Sequence, residues 1–130
     1  MFSLDAETIK IIALAESLTH AHVKDCVPWG ESRVFIVEGP FLGKQVRRLE
    51  QLIKKRVKFV FYSTDVVQFL KSLVYPLEIE KNEEKDGVLY ISGKDTETRA
   101  RLIGRGASTL RTIEAITKRH FPIKEIRVVK

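Results

Sequence analysis

An α+β fold made of two copies of one small unit is what this 130-residue sequence predicts. Three observations carry the expectation. The chain repeats itself, each copy passes through helical and strand-like apolar spacings in the same order, and only three residues join the copies. With 44% apolar residues there is enough to bury a real core, and the units expected are 1–63 and 64–130.

Asp5 is placed to cap a first helix whose apolar face is Ile9, Ile12, Ala13 and Leu18; Asp65 is placed likewise before Val66, Phe69, Leu70 and Leu73. Each helix leads into a short strand, about His22–Val27 in copy one and about Tyr75–Ile79 in copy two. The turns that follow are Pro28-Trp29-Gly30-Glu31 and the charged stretch from Asn82 to Gly87, which ends on Asp-Gly, a strong turn signal. Second strands Val34–Val37 and Val88–Ile91 match at an offset of 54.

A basic helix comes next in each copy, now at an offset of 64. Val46-Arg47 falls on Leu110-Arg111, Leu49-Glu50 on Ile113-Glu114, Leu52 on Ile116, Lys54-Lys55 on Lys118-Arg119 and Val57 on Phe121. The change of offset means that copy one lacks ten residues, which copy two uses for Lys94–Ile103, a short helix capped by Asp95. A last strand closes each copy, Val57 to Tyr62 and Ile123 to Val129, with Pro122 marking the second helix exit. Each unit thus reads α-β-β-(α)-α-β. Ser63-Thr64-Asp65 is too short for a flexible linker, so the units are expected to pack as one rigid body.

The charge follows the repeat. Between Gly43 and Lys58 seven basic residues face the single Glu50, and between Arg99 and Arg119 six face the single Glu114. The remainder is acidic, so the net charge of +6 is concentrated in two blocks. Such blocks suit a polyanionic partner, nucleic acid first and a membrane surface less often, and neither a small-molecule substrate nor a membrane partner is expected. No run approaches a membrane span, and residues 1–18, with Asp5, Glu7 and Glu16 and no basic start, do not read as a signal peptide. Cys26 is the only cysteine, which excludes an intrachain disulfide and suits a reducing cytoplasm.

The segment Ile103-Gly104-Arg105-Gly106-Ala107 runs from the short helix into Ser108-Thr109-Leu110-Arg111. Glycines at 104 and 106 let backbone approach a phosphate with no Cβ in the way, and the free N–H groups opening the next helix favour an anion. Arg105 supplies charge, Arg111 lies one turn on, and Ser108 is either the helix N-cap or a phosphate donor. This is neither a Walker loop nor a dinucleotide fingerprint, because the spacing and the preceding strand are wrong.

With a helix before it and a basic helix after it, Leu102-Ile103-Gly104-Arg105-Gly106-Ala107 resembles the G-x-x-G loop of a KH domain. The order α-β-β-α-α-β is that of the type II KH fold. Two such units without a linker, with Arg48-Leu49-Glu50, Lys118 to Phe121 and Asp25-Cys26, resemble the archaeal NusA-like transcription factors over essentially the whole chain. The resemblance implies two tandem type II KH domains that bind single-stranded RNA and act in transcription elongation, termination or antitermination. KH loops clamp about four nucleotides of backbone. Carried over, the RNA-binding residues are Arg101, Ile103, Gly104, Arg105, Gly106, Ala107, Ser108 and Arg111 in copy two, with Gly43, Lys44, Arg47 and Arg48 in copy one.

Two departures stand out. Ala107 replaces the last Gly of the second loop, a small change if its φ is negative. The first loop maps to Pro40-Phe41-Leu42-Gly43, where Pro removes an N–H and two apolar residues replace basic or small ones, making copy one a poor clamp. Phe41-Leu42 reads as a core plug first, then as an interface anchor or a stacking platform. A module docking on RNA polymerase or the ribosome, or a KH protein of ribosome assembly, is therefore the alternative.

Other constellations are weaker. His20, His22 and Cys26 share strand parity, yet a structural zinc site needs a fourth ligand. A Cys–His nucleophile pair there lacks an orienting group. No carboxylate dyad or triad assembles, so neither an enzyme nor a cofactor or metal is expected. Trp29 and Tyr75 are candidates for base stacking, while Phe59, Phe61 and Phe69 read as core.

Overall fold

Aspartate caps open three helices, as the sequence anticipates. In the computed structural model, which describes residues 5–130, the chain divides into two units, Met1–Tyr62 and Ser63–Lys130.

In unit one, helix α1 (Ala6–Thr19) starts where Asp5 Oδ1 accepts the Thr8 N–H at 2.7 Å. That backbone bond holds the Asp5 carboxyl below its ordinary range. The buried side of α1 is not the face expected. Ile11 and Ala15 are buried with Thr8 and Thr19, whereas Ile9 is 55% exposed and Ala13 is exposed. The two threonines explain the difference, because a polar residue whose hydroxyl finds a partner can face the core, and Thr8 Oγ1 accepts from Arg33 at 3.4 Å. Thr19 Oγ1 donates to the Ala15 carbonyl at 2.7 Å and accepts the Ala21 N–H at 3.3 Å.

Strand β1 (His22–Trp29) pairs antiparallel with β2 (Ser32–Glu38), and β2 pairs parallel with β3 (Arg56–Phe61). The order β1-β2-β3 makes β2 central, which is why Val34, Phe35, Ile36 and Val37 are all buried. Helix α2 (Val46–Ile53) lies on the crossover between the parallel strands. Its Leu49 is fully buried against Ile11, Ala15, Ala21, Cys26, Phe35 and Val37. Two glutamates tie helices to strands: Glu16 Oε2 accepts the Val23 N–H at 3.0 Å and Glu50 Oε2 the Val57 N–H at 2.9 Å.

Unit two repeats the plan with one more helix. Helix α3 (Val66–Val74) is capped by Asp65 through the Val67 N–H at 2.9 Å and buries Phe69, Leu70, Leu73 and Val74. Strand β4 (Ile79–Lys85) pairs antiparallel with β5 (Val88–Gly93), and β5 parallel with β6 (Glu125–Val129). Between β5 and β6 come α4 (Thr96–Ile103), capped by Asp95 through Thr98 N–H at 2.7 Å, and α5 (Ser108–Lys118). Glu114 Oε2 accepts the Ile126 N–H at 2.9 Å, repeating the Glu50 bond.

Register refines the repeat. A bulge lies between Val23 and Asp25 in β1 and between Ile79 and Lys81 in β4, and Val23 faces Val37 as Ile79 faces Gly93. Equivalent strand positions are therefore 56 apart, not 54, and copy one lacks eight residues before the basic helix, not ten. Ile126, not Phe121, is the counterpart of Val57: Val57 pairs with Arg33, and Ile126 with Leu89. The expected strand at Tyr75–Ile79 is displaced to Ile79–Lys85, because α3 runs on to Val74. Asn82 to Lys85 thus belong to an exposed strand, and the turn shrinks to Asp86-Gly87. In unit one, likewise, β1 runs through Trp29 and leaves Gly30-Glu31 to turn.

The bulge in β1 also breaks the parity of the histidines and Cys26. His20 ends α1 with φ 60° and His22 is exposed, whereas Cys26 is buried, so the three do not share a face. Among the described residues, no three His, Cys, Asp or Glu side chains cluster as a metal site, and no helix is long and apolar enough to cross a membrane.

Candidate nucleic-acid interface

Helix α4 stops at Gly104, whose N–H donates to the Ala100 carbonyl at 2.9 Å. Gly104 has φ 73° and ψ 176°, a region only glycine enters readily. A Cβ at this position would meet Thr109 Cβ at 2.8 Å and Thr109 N at 2.9 Å. Gly104 is therefore required by the turn itself, and Thr109, which the sequence did not single out, is the residue that closes on it.

Gly106 is different. Its φ of 60° is left-handed too, but an added Cβ would find nothing within 4 Å. The space over Gly106 is open to solvent, the arrangement that a backbone-gripping loop needs. Ala107 follows with φ 62° and ψ 20°, so the condition under which its methyl is a small change, a negative φ, is not met. Its N–H donates to the Gly104 carbonyl at 3.2 Å, which closes the turn and holds Ala107 left-handed despite its Cβ. Ala107→Gly should accordingly raise stability by roughly 0.5–1 kcal/mol, the left-handed penalty of alanine less the added unfolded-state freedom of glycine. Chemical denaturation of the two proteins measures it, and a less stable glycine variant would refute the reading.

Ala107 occupies the N-cap of α5 without a side-chain cap bond, so Ser108 is the first helical residue and not the cap. Its carbonyl accepts Thr112 Oγ1 at 3.0 Å, and its hydroxyl lies on the exposed side of the helix start. Ile103 is half-buried beside buried Leu102 and anchors the loop from below. Arg101 in the last turn of α4, Arg105 in the loop and Arg111 one turn into α5 are all exposed. Among the described residues none of these arginines has an ion pair. Three free guanidinium groups therefore flank a loop that presents uncapped helix N–H groups, an arrangement suited to phosphate.

The first loop is built otherwise. Pro40 offers no N–H, and the Leu42 N–H is spent on the Thr19 carbonyl at 2.7 Å, which ties the loop to the end of α1. Phe41 is half-buried with its ring 4.4 Å from that of Phe59 and packs against the core as a plug, whereas Phe61, 5.8 Å away, is 49% exposed and not the core residue its alternation suggests. Leu42 is left 46% exposed. A short 3-10 turn, Gly43–Gln45, then leads into α2, again without a side-chain cap. Lys44, Arg47 and Arg48 project from this segment, exposed and without ion pairs among the described residues. Unit one keeps the cations and loses the loop. Of the proposed stacking residues, Tyr75 is 72% exposed and Trp29 half-buried.

No protein-family model matches the chain. The crystal structure of APE1850 superposes on 97% of this chain and 100% of its own at a TM-score of 0.73 and 18% identity, a likeness of fold. A Methanocaldococcus jannaschii protein named "Probable transcription termination protein NusA" is 29% identical over 137 residues, 97% of this chain and 74% of that protein. A Methanococcus vannielii protein of the same name is 31% identical over 137 residues, 97% of this chain and 79% of its own length. On that identity and coverage, the chain belongs to the archaeal NusA-like family.

Proposed function

We propose that this chain is a tandem type II KH protein that binds single-stranded RNA and acts in transcription elongation and termination on nascent transcript. The observation that carries the reading is the loop of unit two. Gly106 is open above, the start of α5 is uncapped, and Arg101, Arg105 and Arg111 stand unpaired around it. The element order α3-β4-β5-α4-α5-β6 supports the KH assignment, and the names of the two archaeal relatives support the role in transcription.

In this reading the loop grips the sugar–phosphate backbone, so bases are left free to be read elsewhere. Lys44, Arg47 and Arg48 on unit one add phosphate contacts without a clamp. Covalent connection of the two units turns the second contact into an intramolecular one, which raises affinity for RNA long enough to reach both. Catalysis has no part in it, and the buried single Cys26 suits a cytoplasmic setting.

Docking on RNA polymerase or the ribosome was the alternative motivated by Phe41-Leu42. Phe41 packs on Phe59 against the core of unit one, so of the Phe41-Leu42 pair only Leu42 is exposed, although Phe61 beside it is 49% exposed as well. RNA binding is thus the reading with more support. It is tested by titrating unstructured RNA at several salt concentrations. The logarithm of affinity should fall linearly with the logarithm of salt, with a slope of about −0.7 for each phosphate neutralised. Affinity insensitive to salt, or absent at low salt, would refute it.

A further inference from the structure

The opposite end of α2 carries a second basic feature. A groove of about 850 Å³ is lined by the cations Arg47, Lys54, Lys55 and Arg56 together with Gln51 and two carboxylates, Glu31 and Glu50. It forms where the end of α2, the start of β3 and the Gly30-Glu31 turn meet. Lys54 takes a left-handed conformation, φ 57°, to end the helix, and this swings the chain so that Lys55 and Arg56 follow at once. Arg47, Lys54, Lys55 and Arg56 have no ion pairs among the described residues. Of the two carboxylates, Glu50 is already engaged by the Val57 N–H.

Lysines at a helix C-terminus are ordinary partners of the helix dipole, and unit two has Lys118 in the corresponding place. The internal repeat separates that general role from something particular to unit one. Arg56 pairs with Ser32 where Glu125 pairs with Val88, so the cation beginning β3 is an acidic residue in unit two. Glu125 there is bound to Arg127 at 3.2 Å. Gln51 corresponds to Ala115, and in unit two several further residues part the helix from the strand. The groove thus belongs to the unit whose loop is degenerate.

We propose that this groove is a second site for the RNA phosphodiester backbone, resting on the RNA-binding reading above and extending it. Arg47 is shared by the groove and by the exposed row Lys44, Arg47 and Arg48, so the basic surface is continuous along α2. That helix is about 12 Å long, eight residues at 1.5 Å each, so Lys54, Lys55 and Arg56 lie about that far from the Gly43–Gln45 turn, while Arg47 at the helix start joins the two regions. No aromatic side chain lines it, so base stacking has no platform there and the contact is independent of sequence. Unit one then holds a further stretch of a longer RNA by charge alone.

The test uses the full chain carrying Lys54→Gln, Lys55→Gln and Arg56→Gln, all exposed positions, checked for an unchanged circular-dichroism spectrum. Two unstructured RNAs serve as probes, one of about four nucleotides, enough for a single loop, and one of about twenty. Expected is unchanged affinity for the short RNA and a salt slope for the long one shallower by about 2, three phosphates at about 0.7 each. A long-RNA slope equal to wild type, while Arg105→Asp with Gly106→Asp has lost the short RNA, overturns the groove and spares the loop. The reverse pattern, a reduced long-RNA slope with short-RNA binding indifferent to the loop variant, upholds the groove and overturns the loop. Loss of binding to polyglutamate with RNA binding unaltered identifies a docking site for acidic protein and overturns the proposal, and a wild type that binds neither RNA overturns both readings.

Discussion

Replacing Arg105 and Gly106 together by Asp is expected to reduce affinity for unstructured RNA by roughly a hundredfold or more, since placing like charge against like costs several kcal/mol. The fold should survive. A side chain at Gly106 enters open space, and aspartate is among the residues that tolerate a left-handed φ. Arg105 is exposed and has no ion pair among the described residues, so its reversal breaks nothing internal. Gly104 is the contrasting position. A side chain there collides with Thr109 and would confound binding with misfolding. A filter-binding or anisotropy titration, accompanied by a thermal melt, separates the two effects. Undiminished RNA binding by the double variant would remove the loop from the interface.

The second large effect concerns stability. Leu49 in α2 and Ile113 in α5 hold equivalent places one residue before Glu50 and Glu114, and each is essentially fully buried. Truncation to alanine should cost roughly 2–5 kcal/mol in each case, the transfer of the side chain plus the cavity left behind. For units of this size that is a large share of the total, since whole domains are stable by only about 5–15 kcal/mol. The corresponding Ile113→Val should cost about 0.5–1.5 kcal/mol. Denaturant titration monitored by circular dichroism checks all three. A loss for Ile113→Ala no greater than for Ile113→Val would mean that α5 is not seated on the sheet as described.

Much of this architecture was legible because it rests on local chemistry. Asp5, Asp65 and Asp95 each stand before a run of helical periodicity, and each accepts a first-turn N–H. The basic helices could be superposed from sequence, since Leu49-Glu50 and Ile113-Glu114 serve the same two purposes, burial and capture of a strand N–H. What could not be read lies where tertiary context overrides pattern. Thr8 and Thr19 can face the core because each hydroxyl finds a partner, Arg33 for Thr8 and the helix's own Ala15 carbonyl for Thr19, a choice that hydropathy does not register. The bulge in β1 breaks the alternation that puts His22 and Cys26 on one face, and the offset of 56 emerges only from strand pairing, since matching the apolar runs Val34–Val37 and Val88–Ile91 gives 54.

The candidate site was legible in composition and less so in geometry. Glycine and arginine spacing located the loop at 104–107, but nothing in the sequence distinguishes Gly104, fixed by Thr109, from Gly106, which is free above. The left-handed Ala107 was equally hidden, because it follows from a turn closed by the Gly104 carbonyl. The groove beside α2 escaped for another reason. Its cations were visible as a charge run, but their convergence depends on β2 pairing in parallel with β3.

The central claim, that unit two grips RNA at its glycine loop, is tested most directly by photocrosslinking. An unstructured RNA is crosslinked to the full chain, the complex is digested, and the peptides that carry nucleotide are identified. The predicted result is attachment within Ile103 to Arg111, abolished when Arg105 and Gly106 are aspartate. Attachment that spares this segment and is unaffected by those substitutions would contradict it.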